Sequence, residues 1–253
     1  MPARRTVALV TGANKGIGYQ VAAQLAKRGM TVLLGARNRA WGVKAAETLR
    51  AAGAGDVRPI VMDVTDPDSV GAAATHLDIH FRRLDVLVNN AATYDEAARA
   101  ACTGDTRHLP SGADLDVVRA VFETNVFGVI TVTNAMLPLL SRSSAPRIVN
   151  VSSGLGSLSA MSDPDGPLGK IPPSIGYIPS KTALNAVTVQ YAREYRDTAL
   201  LVNAADPGPC ATELNPTAVR TAAAGARVAV RLATLGPDGP TGGFFNDDGP
   251  VPW

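Results

Sequence analysis

Short aliphatic runs recur along the chain, and after most of them apolar residues return every three or four positions. Thr6–Thr11 (TVALVT) is almost wholly aliphatic or β-branched, the pattern of a strand buried on both faces. Ile17, Val21 and Leu25 then fall at i, i+4 and i+8, which predicts a helix that Gly29 stops. Thr31–Ala36 (TVLLGA) reads as a second strand, and the helix after it runs from about Ala40 to Ala52 and closes at Gly53. Val57–Val64 is the third strand, followed by Asp66–Pro67 as an N-cap with proline at the first helical position. Leu84–Ala91 (LDVLVNNA) predicts strand four; beyond an irregular polar stretch, Thr93–Ala113, a long helical pattern covers about Leu115–Leu140. Arg147–Ser153 reads as strand five, and Pro, Gly and Ser crowd Gly154–Ser174 into a loop. A helix carrying Tyr177 follows, then strand six at Leu200–Ala205 and a loop at Asp206–Pro216. A helix around Thr217–Thr234 and a short strand near Gly243–Asn246 end the pattern.

Strands that alternate with helices throughout predict an α/β protein with a doubly wound parallel sheet. No repeat, linker or composition break divides residues 1–253, so a single domain is expected. Ligands of such sheets sit beyond the carboxyl ends of the strands. That rule gathers the glycine loop after strand one, Asn89–Asn90, Ser152–Ser153 and Asp206–Pro207–Gly208 in one crevice.

Composition narrows the function classes. With 46% hydrophobic and 18% charged residues the chain is of ordinary globular type, long enough to bury a full core. The formal charge is +2 and the basic residues are scattered, which argues against nucleic acid as a partner. Cys102 and Cys210 show no metal-binding spacing, so free thiols and no metal site are expected. After Arg4–Arg5 the run Val7–Val10 is too short for a signal peptide or a membrane span, and a cytoplasmic location is expected.

Two stretches carry chemistry. Gly12–Ala13–Asn14–Lys15–Gly16–Ile17–Gly18 joins a strand to a helix, the context in which backbone N–H groups and a helix N-terminus hold a pyrophosphate. Tyr177 and Lys181 lie four residues apart, on one face of a helix. A phenol titrates near ~10, and a neighbouring cation favours its ionised form, so the pair reads as a proton-transfer device. Pro179 inside a helix would cost about 3 kcal/mol, which places Tyr177 at the helix start, where N–H groups lack partners anyway.

In order along the chain these residues resemble the short-chain dehydrogenase/reductase family, whose fold is the Rossmann type. Thr11–Gly18 matches TGxxxGIG, Asp63 the acidic residue that contacts adenine, and Asn89–Asn90–Ala91 the NNAG motif, with Ala92 in place of its last glycine. Asn125 matches the family's helix asparagine, Asn150–Ser153 its serine strand, Tyr177 and Lys181 its YxxxK, and Pro207–Gly208 with Thr212 its PGxxxT. The opening Val7–Gly18, the Gly-x-Phe strand, the terminal Trp253 and the 24 positions from Ser153 to Tyr177 are similar to the carbonyl reductase branch. The resemblance implies Tyr177 as general acid, Lys181 lowering its pKa and holding the nicotinamide ribose, Ser153 donating to the substrate oxygen, and Asn125 binding a water that leads to Lys181. It assigns to the cofactor Gly12, Asn14, Lys15, Gly16, Ile17, Gly18, Arg37, Asp63, Val64, Asn90, Ala91, Ala92, Tyr177, Lys181, Pro207, Gly208 and Thr212. Because side chains alternate along a strand, Ser152 and Ser153 cannot share a role.

Charge bears on cofactor choice. Strand two ends Gly35–Ala36–Arg37–Asn38–Arg39 without the acid that would take a ribose 2′-hydroxyl. Arg37 can fork onto a 2′-phosphate and Lys15 can add a contact; at ~1.5–3 kcal/mol each, two such bonds favour NADP over NAD by about a hundredfold or more. The loops Thr93–Ala113, Gly154–Ser174 and Pro209–Pro216 are expected to wall the substrate, with Leu155, Leu158, Met161, Cys210 and Leu214 as an apolar lining. A small apolar ketone, aldehyde or quinone is the expected substrate. The alternatives are an alcohol dehydrogenase working in the oxidative direction and a catalytically silent cofactor sensor. The chain is expected as a monomer, or as a homo-oligomer through the helices carrying Asn125 and Tyr177.

Overall fold

The computed structural model describes residues 5–94, 109–213 and 215–253. Seven parallel strands form its central sheet: β1 (Val7–Val10), β2 (Thr31–Ala36), β3 (Val57–Val61), β4 (Val86–Asn89), β5 (Arg147–Val151), β6 (Leu201–Ala205) and β9 (Phe244–Phe245). Their order across the sheet is β3-β2-β1-β4-β5-β6-β9. The chain reverses its direction of travel across the sheet between β1 and β4, which opens the crevice that the strand pattern predicts.

β1, β2, β4, β5 and β6 bury both faces, and alternate residues feed two cores. From β1, Ala8 and Val10 pack with Val21 and Leu25 of helix α1 (Gly16–Lys27) and with Val228 and Leu232 of helix α8 (Ala222–Ala233). Val7 and Leu9 face the opposite way, toward Val70 and Leu77 of helix α3 (Pro67–Phe81) and Val132 and Met136 of helix α5 (Gly128–Leu140). Side chains such as Leu9, Leu33 and Leu87, all fully buried, contribute about 1.5–3 kcal/mol each. Helix α2 (Arg39–Ala51) is capped by Asn38, whose side chain accepts from Trp41 N, and α3 by Asp66 with Pro67 at its first position, as expected.

Several boundaries differ from the sequence pattern. Strand three stops at Val61 because its partner β2 ends at Ala36, the residue paired with Val61. The long helix is interrupted: α4 (Leu115–Phe122) passes into a π-helical turn, Glu123–Phe127, before α5, and Gly128 N donates to Glu123 O five residues back. The Gly154–Ser174 loop contains a 3₁₀ turn at Gly154–Gly156 and a short helix α6 (Leu158–Met161) that Ser157 caps. The last helix begins at Ala222 and not near Thr217, since Arg220–Thr221 (β8) pairs in parallel with Cys210–Ala211 (β7), and Thr221 then caps α8 by accepting from Ala224 N. Among the described residues no helix is long and apolar enough to cross a membrane.

Candidate active site

A cavity of about 560 Å³ lies at the carboxyl ends of the strands. Its floor is the turn between β1 and α1. Gly12 has φ +59, and a Cβ there would come within 2.8 Å of Ala91 Cα. Gly18 faces Asn90 so closely that a Cβ would meet Asn90 Nδ2 at 2.3 Å. That amide donates to Thr11 O at 2.9 Å and Gly12 O at 3.1 Å, while Thr11 Oγ1 accepts from the N–H groups of Asn90 and Ala91. The glycine turn and the end of β4 are thus locked together. Helix α1 starts with Lys15 as an extended N-cap that makes no side-chain capping bond, so its first N–H groups face the cavity, where Gly16 and Ile17 lie. Such a helix end fits an anionic pyrophosphate.

Asn14, Lys15, Arg37, Asp63, Val64, Asn90, Ala91, Ala92, Pro207 and Thr212 also line this cavity, as the sequence assigns them. Gly18 and Gly208 support it from behind. Gly208 N donates to Asp206 Oδ1 at 2.9 Å, and Thr212 packs over Gly16. Lys15 Nζ is taken up in an ion pair with Glu213 across the cleft, so of the two cations assigned to a 2′-phosphate only Arg37 is without such a tie among the described residues. Asp63 Oδ1 accepts from Thr65 N and Oγ1, which fixes the carboxylate at the cavity wall.

At the other end stand Tyr177 and Lys181. Tyr177 is the first residue of helix α7 (Tyr177–Glu194), Gly176 is its N-cap, and Pro179 falls in the first turn, where its missing N–H costs nothing. Lys181 is 2% exposed; its Nζ lies 5.6 Å from the centre of the Tyr177 ring and donates to Val151 O at 2.8 Å. Burial pushes the ammonium down to about 8. Burial also raises the Tyr177 phenol, Tyr94 and Asp206 push it the same way, and the hydrogen bond with Ser153 opposes them. Ser153 thus pulls the phenol down, while the Lys181 ammonium beside the ring is directed at the Val151 carbonyl.

The two serines divide as strand alternation requires. Ser153 joins Tyr177 and also caps the 3₁₀ turn by accepting from Leu155 N at 3.3 Å. Ser152 turns inward, donating to Asn185 Oδ1 at 2.6 Å, and Asn185 Nδ2 in turn donates to Gly156 O. Asn125 is fully buried in the π-helical turn. Its Oδ1 accepts from Thr93 N at 2.8 Å, and Nδ2 donates to Thr93 O and to Ser180 Oγ, both at 3.0 Å. Both amide hydrogens are thereby used in tying the end of β4 to the Tyr177 helix.

Among the described residues, those expected as the apolar wall of the substrate do not line the dinucleotide cavity. Cys210 is 4% exposed, and its thiol donates to Pro207 O at 3.3 Å; it packs against Gly225 of α8 and not on the cavity wall. Leu155, Leu158 and Met161 do not line the cavity, and Leu158 is 65% exposed. Leu214 and Cys102, with most of the Thr93–Ala113 wall, lie outside the described residues.

Conversely, Gln20, Trp41, Met62, Thr124, Glu213 and Ala222 line the cavity without having been singled out. Trp41 is the readable one. A tryptophan in the first turn of a helix that starts two residues after Arg37 has to flank whatever Arg37 holds. Tyr94, whose ring centre is 4.4 Å from that of Tyr177, gives no periodic signal because it sits in an irregular segment.

The sequence profile described as short chain dehydrogenase matches residues 6–223. A curated short-chain dehydrogenase of Penicillium roqueforti is 37% identical over 238 residues, covering 92% of this chain and 90% of that one. The structure of salutaridine reductase from Papaver somniferum superimposes with a TM-score of 0.79 at 31% identity, covering 96% and 100% of the two chains. NADPH-bound carbonyl reductase from chicken fatty liver gives 0.82 at 25% identity over 99% and 100%. The loop, the tyrosine–lysine pair and these likenesses converge: the chain belongs to the short-chain dehydrogenase family and is an oxidoreductase of Rossmann fold.

Proposed function

We propose that the protein reduces the carbonyl of an apolar ketone, aldehyde or quinone to an alcohol with NADPH. The observation that carries this reading is the tyrosine hydroxyl bonded to Ser153 at the mouth of the dinucleotide cavity, with buried Lys181 beneath its ring. When bound, the reduced nicotinamide supplies the hydride that adds to the carbonyl carbon. Tyr177 Oη gives its proton to the carbonyl oxygen, and Ser153 Oγ donates a hydrogen bond to that oxygen as charge builds on it. Lys181, protonated below about pH 8, stabilises the phenolate left behind and holds the ribose hydroxyls. Asn125 positions the Tyr177 helix through Ser180.

Arg37 supports NADP as the cofactor, since it reaches the cavity at the end of β2 and no acid stands there to take a free 2′-hydroxyl. The relatives that carry reductase names, salutaridine reductase among them, favour the reductive direction. The test is NADPH consumption against a panel of apolar ketones, aldehydes and quinones. Tyr177→Phe is expected to lower kcat by about 10²–10⁴-fold at unchanged cofactor affinity. Full turnover by that variant would overturn the assignment.

A further inference from the structure

Asp206 closes β6 and leads into the Pro207–Gly208 turn. Its backbone N–H donates to Phe245 O at 2.7 Å, and its Oδ1 accepts from Gly208 N at 2.9 Å, so the side chain is fixed at both ends. The other oxygen, Oδ2, is turned toward Gly154. A Cβ placed at Gly154 would lie 3.0 Å from Oδ2 and 3.7 Å from Leu168 Cδ1. Gly154 follows Ser153, the partner of the Tyr177 hydroxyl, and the Asp206 charge acts on that phenol, so the carboxylate stands beside the catalytic pair at the start of the Gly154–Ser174 loop. Asp206 is not part of the cofactor cavity lining. Among the described residues no ion pair joins it to a cation.

The turn does not explain the charge. Oδ1 alone caps Gly208, and an asparagine would do that equally well. Asp206 is half-buried, and among the described residues no hydrogen bond is donated to its second oxygen. A carboxylate so placed gains most from a partner that brings its own positive charge, since charge-assisted bonds are about twice as strong as neutral ones.

We propose that Asp206 selects carbonyl substrates carrying a basic nitrogen, with Oδ2 accepting a charge-assisted hydrogen bond from the protonated amine. The inference rests on the reductase reading and refines its substrate class from apolar carbonyls to amino ketones with an apolar frame.

The experiment compares N-methylpiperidone with its neutral isostere methylcyclohexanone, at a pH where the amine is protonated, in the wild-type protein and in Asp206→Asn, which keeps the Gly208 bond. The ratio of the two kcat/KM values cancels any effect of the substitution on Tyr177 itself. The wild type is expected to favour the cation by about tenfold or more, and Asp206→Asn to erase that preference. Asp206→Glu is expected to recover part of it. Calorimetric titration of N-methylpiperidinol into the protein saturated with NADP gives a second reading that needs no turnover, and the same loss of affinity is expected in Asp206→Asn. An unchanged ratio, an equal gain for neutral hydroxycyclohexanone, or unchanged titration would each overturn the proposal. Should neither ketone turn over, the reductase reading fails on its own while the titration still decides the role of Asp206.

Discussion

Lys181 makes folding stability depend on pH in a window where few other groups titrate. The ammonium is 2% exposed and donates to the Val151 carbonyl, and burial takes its pKa from 10.5 down to about 8. Below about pH 8 both the folded and the unfolded chain carry the proton, and the folded state bears the full cost of the buried charge. Between about 8 and 10.5 the unfolded chain keeps a proton that the folded chain has released, so stability rises with pH. The whole shift corresponds to about 3 kcal/mol, of which about 2 kcal/mol is recovered between roughly pH 7 and pH 9.5. Tyr177 acts in the opposite sense. Its folded pKa is raised above 10.0, so above about pH 10 the unfolded chain loses a phenolic proton that the folded chain retains, and stability falls. The measurement therefore belongs below that limit. Urea unfolding of wild type and Lys181→Met at the two pH values removes the contribution of every group the two proteins share. The stability of the wild type relative to the methionine variant is expected to grow by about 2 kcal/mol on going to the higher pH. A difference that stays constant within about 0.5 kcal/mol would show that Lys181 is solvated, and the lowered pKa would have to be abandoned.

Two further substitutions probe the cofactor end. Gly18→Ala brings a methyl against Asn90 Nδ2 and displaces its bonds to Thr11 O and Gly12 O; a loss of about 2–4 kcal/mol in urea unfolding and a weaker NADPH titration are expected, and unchanged stability would refute the locked turn. Arg37→Ala is expected to reduce the NADPH over NADH preference in kcat/KM by roughly tenfold to a hundredfold, and an unchanged preference would remove Arg37 from the 2′-phosphate site.

The strands were legible because a parallel sheet covered by helices on both faces demands near-continuous apolar runs, as in β1 and β2. Helix ends were legible where a cap was read in the side chains, as at Asp66. They failed where a tertiary contact decides. Nothing local indicates that Arg220–Thr221 will pair with Cys210–Ala211, and that pairing delays α8 until Ala222. The packing of Cys210 was hidden for the same reason, since it depends on this pairing and on the contact of its thiol with Gly225. The short α6 was invisible because four residues are too few to show a period.

Asn125 marks the limit of periodicity more sharply. The apolar repeat across Leu115–Leu140 continues through it, yet the backbone there widens to a π turn, and Val126 and Val129 stay buried on either side of the change. The extra width is accommodated where Gly128 meets β3's continuation: a Cβ there would stand 3.0 Å from both Val64 O and Val64 Cγ2. A helix of uniform pitch would turn the residues on one side of Asn125 by about 100° relative to those on the other. Asn125 could then no longer grip the Thr93 backbone and Ser180 at once. The catalytic helix is thus set in place from a neighbouring helix by one amide, at a backbone irregularity that hydrophobic spacing cannot encode. That is why the role of this residue had to come from likeness to a family, while Tyr177 and Lys181, four apart on a regular helix, announce themselves.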